Sequence, residues 1–156
     1  MKIDPDSLKY IQRVISTADL AKISNIIIEP GKVRAIDDDR TVVIFQDEGV
    51  HDMPFGSIGI NRIDVFSDRY DIAKTMDGFT VEAVVNGADT ATPWAKALTF
   101  KGKNTKVDYR CANPLTIQAP KTLNDAAKFK ILMNPEALGL MQKGQTAMRV
   151  DVMTLF

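Results

Sequence analysis

Leu8, Ile11, Val14, Ile15 and Ala18 recur at helical spacing near the start of the chain. At about 100° per residue, Lys9, Gln12, Arg13 and Ser16 fall on the opposite side. Asp4-Pro5-Asp6-Ser7 supplies a capping acid, a proline at the first helical position and a second acid in the first turn. The pattern predicts a helix over 5–18, apolar on one face and basic-polar on the other. The rhythm then shortens. Residues 25–29, 32–36 and 41–45 are β-rich runs divided by Pro30-Gly31 and by Asp37-Asp38-Asp39-Arg40, both turn-forming, and they predict an antiparallel meander. Ser57-Ile-Gly-Ile60 leads to Asn61, read as the cap of a shorter helix over 62–69 with Ile63, Phe66 and Tyr70 on one face. Strands are expected at 71–76, 79–86, 95–101 and 105–112. In the last, Val107, Tyr109 and Cys111 alternate with Lys106, Asp108 and Arg110, the pattern of a strand with one face buried. The order is helix, three strands, helix, three or four strands, so each half resembles the other. The class is α+β, two helix-plus-antiparallel-strand halves in one domain.

Residues 113–125 read as loop or extended connector, with prolines at 114 and 120. Beyond them the opening pattern returns. Asn134-Pro135-Glu136-Ala137-Leu138-Gly139-Leu140-Met141-Gln142-Lys143 lies over Asp4-Pro5-Asp6-Ser7-Leu8-Lys9-Tyr10-Ile11-Gln12-Arg13 at a constant offset of 130. Cap, proline, acid, core leucine, apolar pair, glutamine and basic residue coincide in type. A shared cap-proline-acid start could arise by chance, but here the match runs past the cap. The repeat predicts a first domain at 1–113, a connector at 114–126, and at 127–156 the start of a second copy. That copy holds room for one strand after its helix, across 146–156, and so reads as cut short.

Composition narrows the class. Hydrophobic residues at 45% and charged ones at 26% exclude wholesale disorder. The 20 basic and 20 acidic side chains balance, so no global excess of positive charge attracts nucleic acid, although a basic face can coexist with an acidic one. A single cysteine, Cys111, points to a reducing compartment. No apolar run approaches the ~18 residues of a membrane span, and the first residues lack the layout of a signal peptide. The expectation is a cytoplasmic protein with no membrane partner, in the host cytoplasm if phage-encoded.

Little in the chain resembles a catalytic centre. His51-Asp52 sits in a loop bounded by Gly49 and Pro54, and Cys111 is expected as a small buried thiol. One His and one Cys do not furnish a zinc site of usual ligands. Asp37-Asp38-Asp39 could serve a divalent cation, but Asp is also favoured in hairpin loops for its local hydrogen bonds. Neither a phosphate loop nor a dinucleotide fingerprint occurs. Phe45, Phe66, Phe79, Phe100 and Tyr109 fall at core-compatible positions, and Trp94 is the aromatic most suited to an interface.

Two helix-plus-strands halves, repeated along the chain, resemble the DNA sliding clamp, the ring-shaped processivity factor of replicative polymerases, and most nearly the clamps of T4-like bacteriophages. The residues carrying the likeness are the helix Pro5–Ala18, the hairpin Ile26–Val33, Ile58-Gly-Ile-Asn-Arg-Ile-Asp-Val-Phe66, Lys106–Arg110, the connector Pro114–Pro120 and the second opening helix Asn134–Lys143. The resemblance implies a clamp fold and a non-enzymatic role without cofactor or metal. Subunits form a homo-oligomeric ring around double-stranded DNA, tether the replicative DNA polymerase and engage a clamp loader. It also implies that helices line the hole, with Lys9, Arg13, Arg62, Arg69 and Lys143 facing DNA phosphates without regard to sequence. Gly139 stands where Lys9 stands in the first copy, and Asp64 and Asp68 share the polar side of the middle helix. The ring-closing later domain is scarcely represented, so the chain is expected to be a truncated form.

Two other classes compete. A phage structural or assembly protein with a clamp-like fold would self-associate regardless of Lys9 and Arg13. A metal-dependent enzyme built on the aspartate run would lose turnover on Asp38→Ala.

Overall fold

A computed structural model describes residues 1–47, 49–120 and 134–148. The chain divides into two compact units, Met1–Leu123 and Asn124–Phe156. The first is a mixed helix and antiparallel-sheet structure, an α+β fold.

Helix α1 spans Pro5–Leu20, two residues beyond the expected end. The Asp4 carboxylate accepts from the Asp6 and Ser7 amides at 3.0 and 2.9 Å, satisfying donors the first helical turn leaves unpaired. Its apolar stripe is buried at Ile11, Val14, Ile15 and Ala18. Strands β1 (Asn25–Glu29), β2 (Lys32–Ile36) and β3 (Val43–Gln46) form the expected meander. A fourth strand, β4 (Ile58–Asn61), joins β1 on its other edge, giving the order β3-β2-β1-β4.

Residues 58–60 read only as the lead-in to a helix because all three are buried and show no alternation. Tertiary structure covers both of their faces. Gly59 lies so close to the backbone of Ala112 and Pro114 that no side chain fits there.

Helix α2 spans Ile63–Ala73, correcting both the expected 62–69 helix and the expected strand at 71–76. Phe66, Tyr70 and Ala73 recur at 3.6-residue spacing, and Phe66 and Ala73 are buried. Packing of that stripe overrides the β-like run Ile72-Ala73. Asn61 is not the cap. It ends β4, and its carbonyl accepts from the Tyr109 hydroxyl. Arg62 takes the cap position in a left-handed conformation, φ 63°, with no side-chain cap bond.

Strands β5 (Thr80–Asn86), β6 (Trp94–Lys101) and β7 (Lys106–Arg110) make the second sheet, antiparallel in chain order. The segment before each helix crosses to the other half's sheet. Ahead of α1, the Ile3 amide donates to the Val81 carbonyl at 2.8 Å and the Ala83 amide to the Met1 carbonyl at 2.7 Å, so the first residues lie beside β5. Ahead of α2, β4 lies beside β1. The halves thus exchange their leading segments, each against the first strand of the other sheet. Both helices and both sheets contribute to one core, in which Phe66 stands 6.0 Å from Phe100 and 5.2 Å from Tyr109, centroid to centroid.

After β7 the chain makes a 3-10 turn at Pro114–Thr116. Arg34 on β2 grips the Glu29 carboxylate through two hydrogen bonds of 3.0 and 2.8 Å and donates to the Pro120 carbonyl at 3.2 Å.

In the second unit, α3 spans Pro135–Met148. Asn134 Oδ1 accepts from the Ala137 amide at 2.7 Å, the same cap bond that Asp4 makes to Ser7. The helix includes Thr146–Met148, correcting a strand that was to begin there. A short apolar run in the sequence, Phe129-Lys-Ile-Leu-Met133, and the rest of that strand lie outside the described residues.

Candidate nucleic-acid interface

Lys9 and Arg13 are one turn apart on α1, and both are exposed. With Ile11, Val14 and Ala18 buried, helical geometry directs Lys9 almost straight away from the core and Arg13 about 40° to one side. Gln12, on the other side of Lys9, accepts from the Tyr70 hydroxyl of α2 at 3.1 Å. This bond ties the polar shoulders of the two helices together. Arg13 also flanks a depression with Tyr10, Thr17, Ile44 and Gln46.

The two basic residues of α2 are placed differently. The face of α2 opposite its buried stripe carries Asp64, Asp68 and Asp71, all exposed. Asp71 is paired with Lys74 at 2.5 Å. Arg69 leans over the flank toward β7, where Nη1 donates to the Asp108 carbonyl at 2.7 Å and the guanidinium lies 5.8 Å from the Tyr109 ring centre. Arg62 is exposed at the start of the helix. The structure therefore brings Lys9 and Arg13 together on one helix, and Arg62 and Arg69 together at a separate edge. Lys143 is exposed on α3 of the second unit, and Gly139 on the same helix has open space where a side chain would stand.

Arg110 joins Arg62 and Arg69 around one depression, a partnership that sequence spacing does not single out. Strand alternation already marks Arg110 as outward-facing. Its proximity to residues more than 40 positions earlier depends on β7 lying beside α2.

The remaining chemistry-bearing residues have local duties. The Asp37 carboxylate accepts from the Val42 amide at 2.7 Å and the Thr41 hydroxyl at 2.8 Å, and the first of these bonds chiefly holds its pKa below the ordinary range. This is the hairpin-loop use of aspartate. The Ser7 hydroxyl donates to Asp4 Oδ2 at 2.5 Å and lies 3.0 Å from His51 Nε2. The order is Asp-Ser-His, so the serine proton is committed to the carboxylate. Activation of a nucleophile requires it to face the imidazole.

Cys111 is buried, and burial pushes its thiol pKa up to about 12. At neutral pH it stays protonated and unreactive. A chromogenic disulfide reagent at pH 8 should label the native protein at least ~100-fold more slowly than the urea-unfolded chain. Equal rates would show an accessible thiolate. Trp94 opens β6, half-buried, and lines a depression that also includes Leu115.

No helix among the described residues is long and apolar enough to cross a membrane. No protein-family model matches the chain, and a search of the curated proteins finds none significantly similar to it.

Proposed function

We propose that this chain is a subunit, or the leading part of a subunit, of a DNA sliding clamp. It encircles duplex DNA and tethers a replicative polymerase. The observation that carries the reading is the pair of exchanged halves: each contributes one helix and a three-strand meander and lends its leading segment to the other sheet. Such an arrangement sets two helices side by side over one core, and a ring assembled from such units can turn its helices toward the axis. Lys9 and Arg13 fit a sliding contact because long, exposed cationic side chains attract phosphates without reading bases. The returning cap and helix at Asn134–Met148 support a domain repeat, since the second helix reproduces the cap bond of the first.

The acidic outer face of α2 concentrates the expected DNA contact on α1 and, in the second unit, on α3. Binding of a fluorescent duplex, measured from 20 to 200 mM salt, tests this. Neutralising each phosphate contributes about 0.9 to the slope of log K against log salt, so Lys9→Ala/Arg13→Ala should flatten it by about 2. Gly139→Lys, which installs the missing cation in open space, should steepen it by about 1. Duplex binding indifferent to both changes would overturn the reading. Self-association without any DNA dependence would favour an assembly protein.

A further inference from the structure

Asn61, Arg62, Val65, Arg69, Tyr109 and Arg110 surround an opening of about 240 Å³ at the junction of β4, α2 and β7. Three of these six residues are arginines, and none is acidic. Arg62 and Arg110 make no side-chain hydrogen bond or ion pair among the described residues, whereas Arg69 is fixed by the Asp108 carbonyl and the Tyr109 ring.

The nearest acid on β7 is occupied elsewhere. The Asp108 carboxylate is held by Lys106 at 2.9 Å and by the Thr99 hydroxyl at 2.8 Å. On α2, Asp64 and Asp68 project from the helix at 140° and 100° from Arg69, so neither shares its flank. Asp108 and Asp64 act at this site through space, on Arg69 and on Tyr109, but among the described residues neither carboxylate hydrogen-bonds any of the three guanidinium groups.

We propose that this depression is a phosphate-binding site. Guanidinium forks match the oxygens of a phosphate in pairs, and the group held by Asp108 and Tyr109 is already oriented. The left-handed backbone at Arg62, uncommon for a residue other than glycine, asparagine or aspartate, places its side chain beside the other two. The opening of about 240 Å³ has room for a phosphate group among the three side chains. The phosphate can come from a DNA backbone or from a small phosphorylated molecule. The site stands on its own geometry, whether or not the chain forms a clamp.

Inorganic phosphate titrated into the ¹⁵N-labelled full chain, followed at the arginine Nε resonances, is the test. Saturable shifts are expected at Arg62, Arg69 and Arg110. Arg110→Gln, at an exposed position without internal partners, should weaken binding about tenfold, as one charge-assisted contact is worth. Arg62→Asn removes the cation but keeps a residue suited to φ 63° and should do the same. Lys103→Gln, in the turn between β6 and β7, should change nothing. Shifts that rise linearly without saturation, or Arg110→Gln binding like the parent, would overturn the site.

A short duplex added to the phosphate-loaded protein separates the sources. Displacement of phosphate, with the salt slope of duplex binding flattened by about 1 in Arg110→Gln, assigns the site to a DNA backbone. Phosphate binding lost in Arg110→Gln with the duplex slope unchanged assigns it to a small phosphorylated ligand. Loss of the Lys9/Arg13 effect together with retained phosphate binding would remove the clamp reading and leave the site.

Discussion

Phe66→Ala should destabilise the first unit by about 3–5 kcal/mol, the cost of deleting a buried aromatic and leaving a cavity. Phe66 is 1% exposed, so the ring is deleted from a fully enclosed site. It lies edge-on to Phe100 and Tyr109 and 6.2 Å from Tyr70, centroid to centroid. Those neighbours come from both faces of the contact between α2 and the second sheet, so the cavity opens at the helix's main anchorage. Their shapes are fixed by further contacts, Tyr109 to the Asn61 carbonyl and Phe100 to Phe79, which limits how far the site can collapse.

Urea unfolding followed by Trp94 fluorescence measures the effect, since this is the chain's one tryptophan and it sits at the start of β6. The midpoint should fall steeply with the slope unchanged, and Phe66→Leu should recover more than half of the loss. A loss under ~1 kcal/mol would mean that α2 is not docked through this ring.

Gly56→Ala should cost about 2–5 kcal/mol, from two separate causes. The residue has φ 79°, where a side chain carries a penalty of roughly 1–2 kcal/mol. An added Cβ would also stand 2.3 Å from the Pro93 carbonyl oxygen, a backbone atom that cannot step aside alone. The same carbonyl accepts from the Ser57 amide at 3.0 Å, and the Ser57 carbonyl accepts from Ala95 at 2.8 Å. Relief of the clash therefore strains the bonds that join the approach to β4 with the start of β6, which adds about 1–3 kcal/mol.

Gly31→Ala is the control. It has φ 71° with nothing within 4 Å of the added atom, so it isolates the backbone penalty. Thermal unfolding of the two variants should separate them by at least several degrees. Equal melting temperatures would remove the steric part of the argument.

These two positions also show where the sequence speaks and where it falls silent. Phe66 declares itself, because its spacing with Ile63 and Tyr70 marks a helical face through local periodicity alone. Gly56 reads only as a loop glycine. The atom it must avoid belongs to Pro93, which proximity along the chain cannot reveal.

The candidate interface divides the same way. Lys9 and Arg13 are legible on α1 because one helix carries both them and the apolar stripe that orients them. Arg62 and Arg69 are legible as basic residues of the middle helix, but their assembly with Arg110 and the anchoring of Arg69 on Tyr109 are not.

The sequence by itself determined the capped helices α1 and α3, the hairpin β1-β2, the alternating strand β7, the α+β class and the buried stripe of α1. Each of these rests on forces between residues a few positions apart: cap hydrogen bonds, turn conformations and the period of the buried face. The tertiary structure decided that β4 is a strand, that α2 continues through Ala73, and that each half lends its leading segment to the other. Those outcomes depend on hydrogen bonds and buried surface contributed from tens of residues away. A short apolar segment such as Ile58–Ile60 is compatible with several local structures, and it becomes a strand because β1 offers it an unpaired edge.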